Sequence, residues 1–146
     1  MTKPTLVSRD ELCIQLSDLT LPLMWALRQD AVRAFESLGV RPVKALLVEL
    51  IARGMQHPKD LSEVLDTVPP TISAMLAELE ERDLVSRTID PSDRRRVQLE
   101  LTPKGQELRE QLREAWLDTG ETRLSRLSHE EIAALVTIYQ KLLAGA

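Results

Sequence analysis

Residues 79–105, LEERDLVSRTIDPSDRRRVQLELTPKG, constrain the fold more than any other part of this 146-residue chain. In order they read as a helix end, a strand over 84–89, a turn closing on three consecutive arginines, a second strand over 97–101 and a new helix opened by Thr102 and Pro103. A hairpin of this order lifts Arg94, Arg95 and Arg96 to its tip, where they can reach a nucleic-acid backbone or groove lying beneath the protein. A charge run by itself is more often a solvated face, so its meaning depends on what precedes it.

What precedes it is DLSEVLDTVPPTISAMLAELEERD, which reads as two short helices around a tight turn. Leu61, Val64 and Leu65 form one apolar stripe, and Ile72, Leu76 and Leu79 form another. Asp66 suits the turn because aspartate tolerates a left-handed backbone better than most residues. In a helix-turn-helix of this kind the second helix enters the major groove while the first crosses the backbone, and the arginine hairpin follows where a wing would stand. The expected fold is mainly α, in the α+β class: a winged helix-turn-helix with further helices at both ends.

Those outer helices are marked by their caps. Ser8 and Glu11 form a capping box before an apolar stretch over 12–38, which Pro22 should bend and Gly39 should end. Pro42 opens a helix running to about residue 53, with Gly54 as its stop. Pro58 opens the first helix of the turn motif, with His57 as a candidate cap, and a short third strand is expected near 55–57. Ser128 and Glu131 form another capping box before the last helix. Leu108, Leu112, Ala115 and Trp116, then Ile132, Leu135, Val136, Tyr139, Leu142 and Leu143, recur at helical spacing. This is more apolar surface than a small winged domain needs to cover itself, which points to pairing of two copies.

The formal charge of −4 disguises an uneven distribution. Arg82 to Lys104 hold six basic and four acidic residues, so that stretch is locally positive within an acidic chain, and the local sign decides what binds there. No apolar run approaches the ~20 residues of a membrane span, and MTKPTLVSRDEL lacks the apolar core of a signal peptide, so a cytoplasmic location is expected. One cysteine, Cys13, excludes an internal disulfide. His57 and His129 stand apart at helix starts, without the spacing of a metal site and without a glycine-rich phosphate loop or a Gly-x-Ser-x-Gly elbow. No enzyme activity and no cofactor is expected.

The segment over 79–105, with Asp90, Pro91, Asp93, Arg94 and Arg95 ahead of a strand and Leu-Thr-Pro-Lys-Gly over 101–105, resembles the signature of the MarR family of bacterial transcription regulators. The close likeness covers 57–105; elsewhere it is one of helix number and length. The resemblance implies a homodimer whose first, fifth and sixth helices interlock, dividing the chain into an N-terminal dimerisation helix (1–40), a winged DNA-binding module (41–102) and C-terminal dimerisation helices (103–146). It implies double-stranded DNA as partner, a pseudo-palindromic site, and a repressor released by a small aromatic or phenolic ligand bound between the dimerisation helices and the winged module.

The second helix of the motif departs from the family. Members commonly carry an arginine where this chain has Ala74, and often a basic residue where it has Glu78. Pro70, Thr71, Ser73 and Ala74 remain as its DNA-facing set, with Thr71, Ser73 and Lys59 available to phosphates. Shape reading then gains weight: Arg94 is assigned to a narrow A·T-rich minor groove, and Arg95 and Arg96 to phosphates or to ties with Asp90 and Asp93. Met24, Trp25, Arg28 and Trp116 are the candidate effector residues, set against the commoner role of tryptophan in a core. Cys13 is similar in position to the cysteine of the peroxide-sensing branch, but it has acidic neighbours and no nearby tyrosine, so it is expected to be buried and inert. Two alternatives stay open: a protein-interaction module whose acidic helix no longer reads DNA, and a cysteine-based peroxide sensor.

Overall fold

Ser8 closes the first helix at its N-terminus: its hydroxyl accepts the Glu11 N–H at 3.2 Å and its own N–H donates to the Glu11 carboxylate at 2.9 Å. The same reciprocal pair recurs between Ser128 and Glu131, and Thr102 caps through the N–H of Gly105 at 3.0 Å. In the computed structural model, which describes residues 7–144, these caps start three of six helices. The order is α1 (Arg9–Glu36), α2 (Pro42–Ala52), α3 (Pro58–Val64), α4 (Pro69–Glu81), β1 (Val85–Ile89), β2 (Val97–Leu101), α5 (Pro103–Leu124) and α6 (His129–Leu143). Pro22 lies inside α1 and helix continues on both sides of it. The one ladder bond it removes falls in an exposed stretch where water can replace it.

The strands pair antiparallel, Val85 opposite Leu101 and Ile89 opposite Val97. Leu84, expected to begin the first strand, instead closes the turn after α4: Asp83 takes a left-handed backbone, φ 57°, and Leu84 N–H returns to Leu79 O at 2.9 Å. The third strand expected near 55–57 does not form. Gln56 O accepts one backbone bond from Leu99 N–H at 2.7 Å, but the chain has just left the left-handed Gly54 and enters α3 at once, too few residues for a ladder. Asp66 is left-handed as expected, φ 45°.

The core surrounds α2. Leu47 and Val48 are wholly buried against Phe35 of α1, Leu61 of α3, Ile72, Leu76 and Leu79 of α4, Leu99 of β2, and Leu108 and Leu112 of α5. One continuous core therefore joins the turn motif to the flanking helices, so the orientation of α4 is tied to α1 and α5. Val64, expected on the apolar stripe of α3, is exposed, because the seven-residue helix turns only one narrow face inward through Leu61 and Ser62. Arg82 adds a polar tie: its guanidinium donates to Gly39 O at 2.9 Å and Leu38 O at 3.2 Å, just past the end of α1. Lys104 of α5 in turn donates to Arg82 O at 2.8 Å.

The outer surfaces of α1 and α6 remain apolar and uncovered. No residue of α6 is buried, and it makes no substantial packing with any other element. Leu12, Leu16, Leu19 and Leu23 on α1 and Val136, Tyr139, Leu142 and Leu143 on α6 all stand exposed. Cys13 is exposed as well. The burial expected for it fails because α1, before about Trp25, projects beyond the core of its own chain.

Candidate nucleic-acid interface

The turn between α3 and α4 is fixed by short-range bonds. Thr67 N–H donates to Ser62 O at 3.0 Å and Thr67 Oγ1 to Leu65 O at 2.9 Å, and the Ser62 hydroxyl returns to Thr67 O. Pro69 and Pro70 then open α4, where their missing N–H groups are no loss. With Ile72, Leu76 and Leu79 inward, the helical period turns Pro70, Thr71, Ser73, Ala74 and Ala77 outward, and all five are exposed. Lys59 stands on α3, also exposed, 3.7 Å from Glu63.

The acidic side of α4 is matched within the chain. Glu78 pairs with Lys44 of α2, and Glu80 with Arg87 of β1 at 2.8 Å. Neither partner was visible in the sequence, since each pair spans separate elements. The negative charge of this helix is therefore partly offset within the chain itself.

The wing is held from inside. Asp90, at 7% exposure, accepts the Ser92 N–H at 2.7 Å and the Ser92 hydroxyl at 2.6 Å, while its own N–H donates to Arg96 O at 3.0 Å. The two bonds from Ser92 hold the Asp90 carboxyl below the usual carboxylate range. Asp93 accepts the Arg95 N–H at 3.0 Å, and its carbonyl accepts the Arg96 N–H at 2.8 Å. The expectation that Asp90 and Asp93 restrain arginine side chains is thus corrected. Both aspartates are occupied by backbone and serine donors, and among the described residues no carboxylate lies within ion-pairing distance of the Arg94, Arg95 or Arg96 guanidinium. All three arginines are exposed.

His57 is the second correction. It occupies the residue before α3 but makes no side-chain cap, because its ring turns across to the wing. Nδ1 lies 3.0 Å from Val97 O, and Nε2 lies 3.6 Å from Asp90 Oδ2.

Away from this face, a cavity of about 790 Å³ opens between α1, α2 and α5, lined among others by Phe35, Glu49, Arg53, Arg109, Arg113 and Trp116. Arg109 donates to both oxygens of Glu49, at 2.8 and 3.3 Å, and Arg53 adds a bond at 2.7 Å. The Arg109 guanidinium above all, with Arg53 behind it, holds the Glu49 carboxyl down at about 2 against the opposing pull of partial burial. Phe35 and Trp116 meet at 6.3 Å between ring centroids. Of the four effector candidates only Trp116 lines this cavity. Met24 and Trp25 are exposed, 59% and 61%, and Arg28 lies over the Trp25 ring at 5.6 Å. They stand on the uncovered part of α1, so they belong neither to the core nor to this cavity in a single chain.

This geometry has known counterparts. The family model described as MarR family matches residues 45–97, a span running from α2 through the wing arginines. A curated relative, the HTH-type transcriptional repressor MdtR of Bacillus subtilis, is 26% identical over 95% of this chain and 90% of its own length. Over residues 45–97 the chain is similar to the MarR family. Among solved structures, a MepR variant of Staphylococcus aureus bound to an oligodeoxyribonucleotide is 26% identical over 88% of this chain and 96% of that one, with TM-score 0.61. Wild-type MarR of E. coli, in apo form, has the same fold at TM-score 0.77, with 22% identity over 88% and 96% of the two chains. The proteins this chain is similar to are described as transcription regulators, and the MepR variant carries bound oligodeoxyribonucleotide. None of the chain's described helices is long and apolar enough to cross a membrane.

Proposed function

We propose that this chain is a MarR family regulator, two copies of which pair, hold a pseudo-palindromic operator and repress transcription until a small ligand loosens them. In this reading residues 1–40 and 103–146 join the copies and residues 41–102 face DNA. One observation carries the DNA-facing half: the carboxylates Glu78 and Glu80 are matched inside the chain by Lys44 and Arg87, whereas the three wing arginines are matched by nothing within the described residues. Free cations beside an exposed Thr71, Ser73 and Ala74 surface suit a polyanion with thymine methyls and base edges in its groove. MdtR is described as a repressor, and a mutant MarR of E. coli has been solved with operator DNA; both accord with this reading. The protein-interaction alternative rested on Ala74 and Glu78; the engagement of Glu78 by Lys44 weakens the second of these, and Ala74 is unaffected. The peroxide alternative gains the exposure of Cys13 but has no phenol to hold a thiolate beyond Tyr139, the single tyrosine, which stands on α6.

The wing and helix contributions separate in a salt titration. If Arg95 meets one phosphate per subunit, Arg95→Ala removes two from a dimer, and the slope of log K against log salt becomes shallower by about 1.8. Arg94→Ala weakens A·T-rich flanks by about 1–3 kcal/mol per half-site and G·C-rich flanks less. Fluorescence anisotropy on flank-swapped duplexes reads both; equal losses on every duplex with an unchanged slope would mean that the arginines are a solvated charge run.

For the ligand, the cavity supplies an apolar wall from Phe35 and Trp116 and three arginines against the single carboxylate of Glu49. That excess favours an aromatic acid. In a Trp25→Phe background, a bound aromatic carboxylate should quench the remaining Trp116 emission and release DNA at the same concentration. Quenching without release would separate the cavity from regulation.

A further inference from the structure

Four α5 residues, Thr119, Thr122, Arg123 and Arg126, recur at helical spacing and so share one face. Asp30 and Arg33 stand across from them on α1, and the six residues line a cleft of about 250 Å³. The cleft follows the larger cavity along the same two helices, but no residue is common to both. Its charge is unbalanced, since three guanidinium groups surround one carboxylate.

Asp30 cannot satisfy all three. Its Oδ2 takes Nε and one terminal nitrogen of Arg123, both at 2.7 Å, while Oδ1 has only a long contact to Arg33 at 3.5 Å. Arg126 pairs with no carboxylate among the described residues. The nearest acids on α5, Asp118 and Glu121, do not line the cleft, because the helical period turns Glu121 to the far side and Asp118 to the flank. The hydroxyls are spare as well. Thr20 and Thr137 each donate to the carbonyl four residues back, a common use of a helical threonine. Neither Thr119 nor Thr122 makes such a bond among the described residues.

We propose that this cleft binds a phosphate group, free or as the monoester of a small molecule, through Arg126, Arg33, the open edge of Arg123 and the two threonine hydroxyls. A guanidinium fork matches two phosphate oxygens at once. A tetrahedral phosphate can spread its oxygens over donors from two helices, whereas a planar carboxylate has two oxygens in one plane. Phosphate monoesters carry about two negative charges near neutrality, which with Asp30 balance the three arginines. The cleft is smaller than the ~300–1,000 Å³ of sites for drug-sized ligands, so little beyond the phosphate and a short tail fits. The inference goes beyond the DNA-binding reading and does not depend on it.

The test uses the full-length protein without DNA, at about pH 7.5, where the phosphate is mostly dianionic. Inorganic phosphate, ethyl phosphate and acetate are each titrated against chloride at equal ionic strength, with backbone ¹H–¹⁵N spectra and calorimetry as readouts. Amides over 30–33 and 119–126 should shift saturably with phosphate, with half-saturation at or below about 1 mM. Ethyl phosphate binding at least about tenfold tighter assigns the cleft to a monoester; otherwise its ligand is free phosphate. Arg126→Gln should weaken binding at least about tenfold, and Thr122→Val, which keeps the shape and removes a hydroxyl, about threefold. Asp30→Asn should tighten it, because Arg123 loses its internal competitor, an effect opposite to that of merely loosening α1 from α5. Arg94→Ala, on the wing, should change nothing. Equal shifts with acetate or chloride, an affinity that neither Arg126→Gln nor Thr122→Val alters, or a response lost in Arg94→Ala would overturn the proposal.

Discussion

A chain cut after Gly120 should be monomeric and should lose at least about a hundredfold in operator affinity, because one wing and one reading helix cannot use the second half-site. The expectation comes from α6, which buries nothing within its own chain and exposes Val136, Tyr139, Leu142 and Leu143 along one side. A fifteen-residue helix is marginal in water without a tertiary surface to cover its apolar face, and the proposed pairing would supply that surface. Each Leu or Val that the partner covers contributes about 1.5–3 kcal/mol relative to exposure. Because the deletion also removes Arg123, which holds Asp30 of α1 at 2.7 Å, a milder variant isolates pairing: Val136→Glu with Leu142→Glu leaves the chain's own contacts intact and sets uncompensated charge in the interface. Light-scattering chromatography at micromolar concentration reads both, and a dimeric double variant would mean that α6 pairs with nothing.

Gly105→Ala should destabilise the fold by at least about 3 kcal/mol, lowering the midpoint of thermal unfolding by roughly 10 °C. A Cβ at this position would run into the backbone carbonyl of Leu84. That oxygen accepts the Thr102 N–H at 3.1 Å, and the Thr102 hydroxyl donates to Asp83 O at 2.6 Å. The obstacle is therefore backbone held on both sides, and no side chain can swing away to make room. Circular dichroism melts would show it; a midpoint within roughly 2 °C of wild type would mean that the first turn of α5 can shift without loss.

Local chemistry made the larger part of this fold legible. Caps, helix-starting prolines and glycine stops each act within four residues, which is why Ser8 with Glu11, Pro42, Gly54, Pro58, Asp66, Thr102 and Ser128 all stand where the sequence puts them. The exposed set on α4 also followed from periodicity, since Ile72, Leu76 and Leu79 leave one outward face. What sequence could not supply were bonds between distant segments. Lys44 with Glu78, Arg87 with Glu80 and Arg109 with Glu49 span 34, 7 and 60 positions, and nothing in either member of a pair names the other. His57 looked like a cap because histidine beside Pro58 is a helix start; only the fold brings Val97 and Asp90 to its ring. Cys13, Met24 and Trp25 were misplaced for a different reason. Hydrophobicity reports that a side chain will be covered, and it does not report whether the cover is the same chain.

The fork of Arg82 across the end of α1 has a mechanical consequence. Its guanidinium holds two carbonyls just beyond that helix, Leu38 O and Gly39 O, while its own carbonyl takes the ammonium of Lys104. The trailing end of the reading helix is thereby lashed to one strut of the pairing frame and to the root of another. In a paired molecule α4 cannot then swing on a private hinge. In the proposed dimer the gauge between two reading helices would be set by how the struts of two copies cross, so a small tilt at that crossing would be carried outward to the groove.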